Sequence, residues 1–144
     1  MNQEYSEGAD HAAIRTVEAK AHTAEMRSKP TQARDENSIL GIQTSLKETR
    51  AFLGSNTEHD WAGTYYQFTN RLAHLYLVRE LNGLPAWLVC VYFTNAIDVH
   101  RPATREEWER TLEGVHTSLG LRSHPLSAYI CDVYVDVGDL IGKL

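Results

Sequence analysis

The sequence has no excess of basic charge: 14 lysines and arginines stand against 19 acids, a formal net charge of -5 at pH 7. That excludes a protein that coats nucleic acid through a global positive field. It leaves room for a local basic groove, because a metal site itself requires carboxylates. Cysteine is scarce, with only Cys90 and Cys131, each inside an apolar run. Both are expected as buried free thiols in a reducing compartment rather than as a disulfide scaffold. No Cys/His spacing resembles a zinc site. No apolar run approaches the roughly 20 residues that span a bilayer. Residues 1–10 are polar and lack the apolar stretch of a signal peptide. Repeats and low-complexity tracts are absent. These absences predict a soluble, cytoplasmic protein with no membrane partner.

What is present is an ordinary globular composition, 42% hydrophobic over 144 residues, most simply one domain over residues 11–137. Residues 1–10 read as an N-terminal arm and residues 138–144 as a tail. A chain of this size buries roughly 68–70% of its unfolded surface, so it needs neither metal nor disulfide merely to fold. Residues 11–21 read as a strand, and 25–37 as a loop interrupted by Pro30. Ile39, Ile42, Leu46 and Phe52-Leu53 recur at helical spacing up to Gly54, predicting a helix over 38–53. A second helix, from about Trp61 or Thr64 to Leu81, sets Tyr65, Phe68, Leu72, Leu75 and Tyr76 on one side. Gln67, Asn70, Arg71 and His74 cluster opposite. After His74 the apolar residues spread around the wheel, predicting burial on more than one side, until Asn82-Gly83 and Pro85 stop the helix.

The apolar run AWLVCVYFT over 86–94 predicts a central strand covered on both faces by helices. Thr104 with Glu107 forms a capping-box pattern opening a helix that ends at Gly120. Residues 129–137 read as an outer strand, with Asp132, Tyr134 and Asp136 on a solvent-facing side. The predicted fold class is α/β, a small mixed sheet flanked by helices, in the order strand, helix, helix, strand, helix, strand.

The chemistry concentrates in Thr16-Val17-Glu18-Ala19-Lys20-Ala21-His22. In an extended strand Glu18, Lys20 and His22 share one face, while Val17, Ala19 and Ala21 cover the other. A carboxylate beside an ammonium and an imidazole suits a site that holds a divalent metal and handles phosphate. Mg²⁺ takes hard oxygen ligands and keeps several waters, so one or two carboxylates suffice. The neighbouring lysine can orient water or stabilise charge developing on a phosphate. The alternative is a half-solvated strand whose polar face meets water, with Lys20 exposed and Gln67, Asn70, Arg71 and His74 on a solvated helix face. Glu25 reads as a surface acid in a loop. Arg101 and Arg105 could touch a phosphate backbone, but Arg105 also sits in the first turn of a helix beside acids, and the ordinary surface role is the expectation there.

Taken together, VEAKAH followed by YYQFTNRLAHLYLVRELNGLPAWLVCVYF resembles the PD-(D/E)XK nuclease superfamily, which has the restriction-endonuclease-like fold, and more closely a bacterial family within it. The resemblance runs from about Arg15 to Val137. Glu-x-Lys alone is a weak signal, and its combination with YQxxNRLAH and a hydrophobic strand is more specific. The resemblance implies a Mg²⁺- or Mn²⁺-dependent nuclease acting on DNA. Glu18 is then the metal-binding acid, Lys20 the catalytic lysine and Gln67 the auxiliary glutamine. His22, Asn70, Arg71 and His74 line the same cleft. Superfamily members carry an aspartate on the strand before Glu-x-Lys. Here Asp10 is the nearest and joins Glu18 as the expected metal ligand, although Ala9 replaces the motif's proline, and Glu7 is the fallback. Only seventeen residues precede Glu18, so three readings stay open. The chain is a shortened domain, a relative without catalysis, or an interaction module that forms a homo-oligomer through its sheet edge.

Overall fold

The computed structural model describes residues 13–97 and 100–143. The arm 1–10, with Asp10 and Glu7, lies outside them. Three strands, β1 (Ile14–Lys20), β2 (Ala86–Thr94) and β3 (Ile130–Asp136), form a sheet in the order β1-β2-β3. Both pairings are parallel, with Glu18 opposite Cys90 and Cys90 opposite Asp132. The sheet among the described residues is therefore parallel rather than mixed. Each strand-to-strand connection carries helix, which returns the chain to the same end of the sheet before it pairs again. Helices α1 (Glu36–Leu53) and α2 (Tyr66–Tyr76) fill the first connection and α3 (Arg105–Ser118) the second. A short helix α4 (Val137–Ile141) occupies the segment expected as a tail; Asp136 caps it by accepting the N–H of Gly138.

Local chemistry sets the boundaries. Asp35 accepts the N–H of Ser38, so α1 begins two residues before the expected start at Ser38. Residues 61–65 are not helical, because Asp60 holds a turn there: its carboxylate takes the N–H of Ala62 and its carbonyl that of Gly63. Trp61 is buried within that turn, and its carbonyl accepts the hydroxyl of Thr69 at 2.6 Å. The change of pattern after His74 marks a π-helical turn over Leu77–Leu81, where the N–H of Asn82 reaches the carbonyl of Leu77. Leu77 and Leu81 are exposed, so the expected burial on several sides does not occur.

The sheet turns its faces the opposite way from the sequence reading. Along β2, Ala86, Leu88, Cys90, Tyr92 and Thr94 are buried, while Trp87, Val89, Val91 and Phe93 are only half-buried. The buried side joins Phe68, Leu72, Trp108, Leu112 and Leu126 in one core. The other side has no helical layer among the described residues, which corrects the expectation of a strand covered on both faces. Register places Glu18 and Lys20 on the helix-covered side, beside Cys90 and Tyr92, and leaves Val17 62% exposed on the open side. Asp132, Tyr134 and Asp136 share the helix side by register, yet Asp132, on the edge strand, is exposed as expected. Cys131 faces the open side and is exposed, not buried as expected, because β3 is an edge strand there. Cys90 is buried, and burial pushes its thiol up to about 12, so it stays protonated.

The loop after α1 closes the far end of the molecule. Ser55 and Thr57 donate their hydroxyls to the carbonyls of Leu119 and Ser118, satisfying the C-terminal end of α3. Gly120 turns the chain there at φ 65°, and a Cβ would stand 3.0 Å from the Ser55 hydroxyl. Gly120→Ala is therefore expected to lower stability by about 1–3 kcal/mol, measured by urea unfolding.

His116, on α3, is half-buried against Phe68, with ring centroids 5.7 Å apart. Burial lowers its pKa below the usual 6.5, opposed by the nearby Asp132 carboxylate. The unfolded chain then takes the proton first, so this contribution to stability is complete above pH 6.5 and is lost as pH falls below it. His116→Gln is expected to flatten the fall in melting temperature between about pH 7.5 and pH 5.5.

Candidate active site

The site is built where β1 ends beneath α2. Lys20 is only 8% exposed, and a buried ammonium requires acceptors. Its Nζ donates to Gln67 Oε1 at 2.6 Å and to the carbonyl of Glu25 at 3.1 Å, and lies 3.2 Å from Glu18 Oε1. The Glu18 side chain is equally buried. Its Oε1 meets the ammonium as an ion pair without hydrogen-bond alignment and has no other polar partner.

Two local devices hold this arrangement. The segment after β1 coils into a short 3₁₀ turn, Thr23–Met26, anchored by buried Met26. His22 and Glu25 cap it reciprocally. His22 Nδ1 accepts the N–H of Ala24, while the Glu25 carboxylate accepts those of Ala21 and His22, each at 2.7 Å. That turn presents the Glu25 carbonyl to Lys20. Further on, Ser28 ties the loop to the start of α2: its N–H reaches the carbonyl of Thr64, and its hydroxyl accepts the N–H of Gln67 at 3.0 Å. The first turn of α2 has no side-chain cap of its own, so Ser28 supplies one and fixes the residue that grips Lys20.

Glu18, Lys20, Glu25, Gln67, Asn70 and Arg71 line one cleft of about 970 Å³. Arg27 and Lys29 line it too, so four cations face two carboxylates. The Nε of Arg71 is buried there without a hydrogen-bond partner. The structure thus brings together Glu18, Lys20, Gln67, Asn70 and Arg71. His74 is exposed further along α2, and neither it nor His22 lies in this wall. Lys20 is a buried residue rather than an exposed one. Glu25 is a capping acid rather than a free loop acid, which the His-x-x-Glu spacing of His22 and Glu25 signalled. Arg27 and Lys29 were not singled out in the sequence, although both follow Glu-x-Lys within one short loop.

Among the described residues no group of three or more His, Cys, Asp and Glu side chains converges as a metal site. The donor set in the cleft is Glu18, whose carboxylate has an oxygen without a hydrogen-bond partner, and Asp10 lies outside the described residues. One carboxylate fits Mg²⁺ when water and phosphate oxygens complete the shell. It does not fit a closed zinc site.

A scan against protein-family models found no match, and searches of the curated proteins and of the solved structures found no significant match.

Removing one member of the buried pair strands the other. Lys20→Ala and Glu18→Ala are each expected to cost about 3–5 kcal/mol, whereas Glu18→Ala/Lys20→Ala together cost clearly less than the sum of the two. Urea unfolding of the four proteins checks this, and additive single losses would show that the pair is not coupled.

Proposed function

We propose that this chain is a Mg²⁺- or Mn²⁺-dependent nuclease domain of the PD-(D/E)XK type that hydrolyses phosphodiester bonds of DNA. The observation that carries the reading is the Lys20 ammonium held between Gln67 and Glu18 on the wall of a cleft with surplus positive charge. A restriction-endonuclease-like fold is part of the same proposal, supported by the residues of the resemblance and by the placement of Glu-x-Lys at the end of a strand under a helix.

In this reading Glu18, with Asp10 from the segment before β1, holds the metal. The metal supplies Lewis-acid polarisation of the phosphate and a bound water of lowered pKa. Lys20 holds the attacking water or the phosphate oxygen at its ammonium, and stabilises negative charge as it develops. Gln67 positions Lys20 by its short hydrogen bond and does not itself touch the reacting atoms. Arg71, Arg27 and Lys29 bind the flanking backbone phosphates as charge-assisted donors.

The purified chain is expected to cleave plasmid DNA with Mg²⁺ or Mn²⁺ and to stop in EDTA. Glu18→Gln and Lys20→Met, which approximate the shapes of the residues they replace, should reduce cleavage to background while far-UV circular dichroism stays native. Gln67→Ala should slow it by about 10- to 100-fold, as loss of an orienting partner does. No cleavage by the wild type, or cleavage by Glu18→Gln equal to it, would remove this function.

One structural observation favours a second reading, the non-catalytic module. β1 and β3 are both edge strands among the described residues, and the face bearing Val17 carries no helix. A homo-oligomer paired through an edge would cover unpaired backbone groups. Concentration-dependent assembly in a chain that neither binds Mn²⁺ nor cleaves would favour that reading.

A further inference from the structure

Because β1 and β2 are parallel, the segments that leave their carboxyl ends emerge on the same rim of the sheet. His22, just after β1, meets Arg101, just before α3, and Arg110 of α3 completes a hollow of about 650 Å³. A second hollow of about 550 Å³ shares these three residues and adds Arg27. Crevices outside the carboxyl ends of parallel strands are where open α/β sheets take up ligands.

The wall chemistry selects an anion. The ion pairs among the described residues are Glu18–Lys20 and Arg105–Glu109, so none of the three arginines of the rim is engaged in one there. The acid in the wall, Glu107, has its carboxylate committed to the backbone N–H of Thr104 in the α3 capping box. His22 accepts at Nδ1 from Ala24. In the neutral ring the proton is therefore on Nε2, and the imidazole offers a donor rather than an acceptor. Three guanidiniums against one carboxylate leave two surplus positive charges. A phosphodiester carries one negative charge, whereas a phosphomonoester carries about -1.5 to -2 at pH 7 and offers three strong acceptor oxygens. Guanidinium forks bind such oxygens bidentately.

We propose that this crevice is a subsite for a phosphomonoester dianion, held by Arg101, Arg110, Arg27 and the Nε2–H of His22. The same chemistry is presented by the terminal phosphate of an oligonucleotide and by a free nucleotide. The subsite shares Arg27 with the cleft of Glu18 and Lys20 but includes neither of those two residues, and it does not depend on cleavage there.

The test is fluorescence anisotropy of the full chain, without divalent metal, using two oligonucleotides that differ only in a 5′-phosphate or a 5′-hydroxyl. The phosphorylated strand is expected to bind about tenfold or more tighter, and inorganic phosphate to compete. Competition by adenosine 5′-monophosphate as strong as by the phosphorylated strand would assign the subsite to nucleotides, and weaker competition to strand ends. Arg101 and Arg110 are exposed, so Arg101→Ala/Arg110→Ala should keep its unfolding midpoint while losing the preference. Arg110→Lys should retain part of it. Glu18→Gln should keep the preference in full even though it abolishes cleavage, which separates this subsite from the nuclease reading. Equal affinity for the two strands, absence of binding, or an unchanged preference in the double arginine variant would overturn the proposal.

Discussion

A lysine ammonium placed beneath a helix, with little of it open to water, needs acceptors for its N–H groups. Lys20 is such a group, and its partners come from three separate stretches of chain: Glu18 on the same strand, the Glu25 carbonyl in the turn beyond it, and Gln67 on α2. Each partner is itself held. Met26 sinks the turn into the core, and Ser28 pins the loop to the first turn of α2. The cost of leaving the ammonium unpaired thus couples the end of β1 to the register of α2. The cleft beside them inherits its shape from that coupling.

The same constraint accounts for the orientation of the sheet. An alternating strand normally sends its valines inward and its charges to water. Here the side chains opposite Cys90 and Tyr92 are Glu18 and Lys20, and they lie under the helices because the pair neutralises itself and because Gln67 and Glu25 complete its hydrogen bonding. The valines are left on the other side. Polar satisfaction, rather than hydrophobicity alone, decides which face is interior.

The elements were largely legible in the sequence. Residues 86–94 have the same ends in the structure as in the apolar run, and the Thr104–Glu107 box and Gly120 bracket α3, because each signal is local. The meeting of Glu18, Lys20 and Gln67 was legible only through the residues of the resemblance, since the separation of 47 positions from Lys20 to Gln67 hides it from any window of spacing. What was not legible depended on partners distant in sequence. Alternation in β1 states that two faces differ but not which is covered, and the run in β2 is equally apolar on both. Cys131 reads as buried from its neighbours, yet its exposure follows from its place on an edge strand. The departure at Leu77–Leu81 arises from one extra residue in a helical turn, which rotates the apolar residues that follow out of the core.

The sheet also acts as a partition. With chemistry on one side and valines on the other, each strand carries two messages in alternate positions, separated by one thickness of backbone. Val89 lies on the face away from Glu18 and Cys90, whereas Val17, on the edge strand, reaches the rim of the cleft that Glu18 lines. On the central strand the two sets of positions are therefore free to vary independently, although they are written in adjacent residues, while at the edge strand they meet.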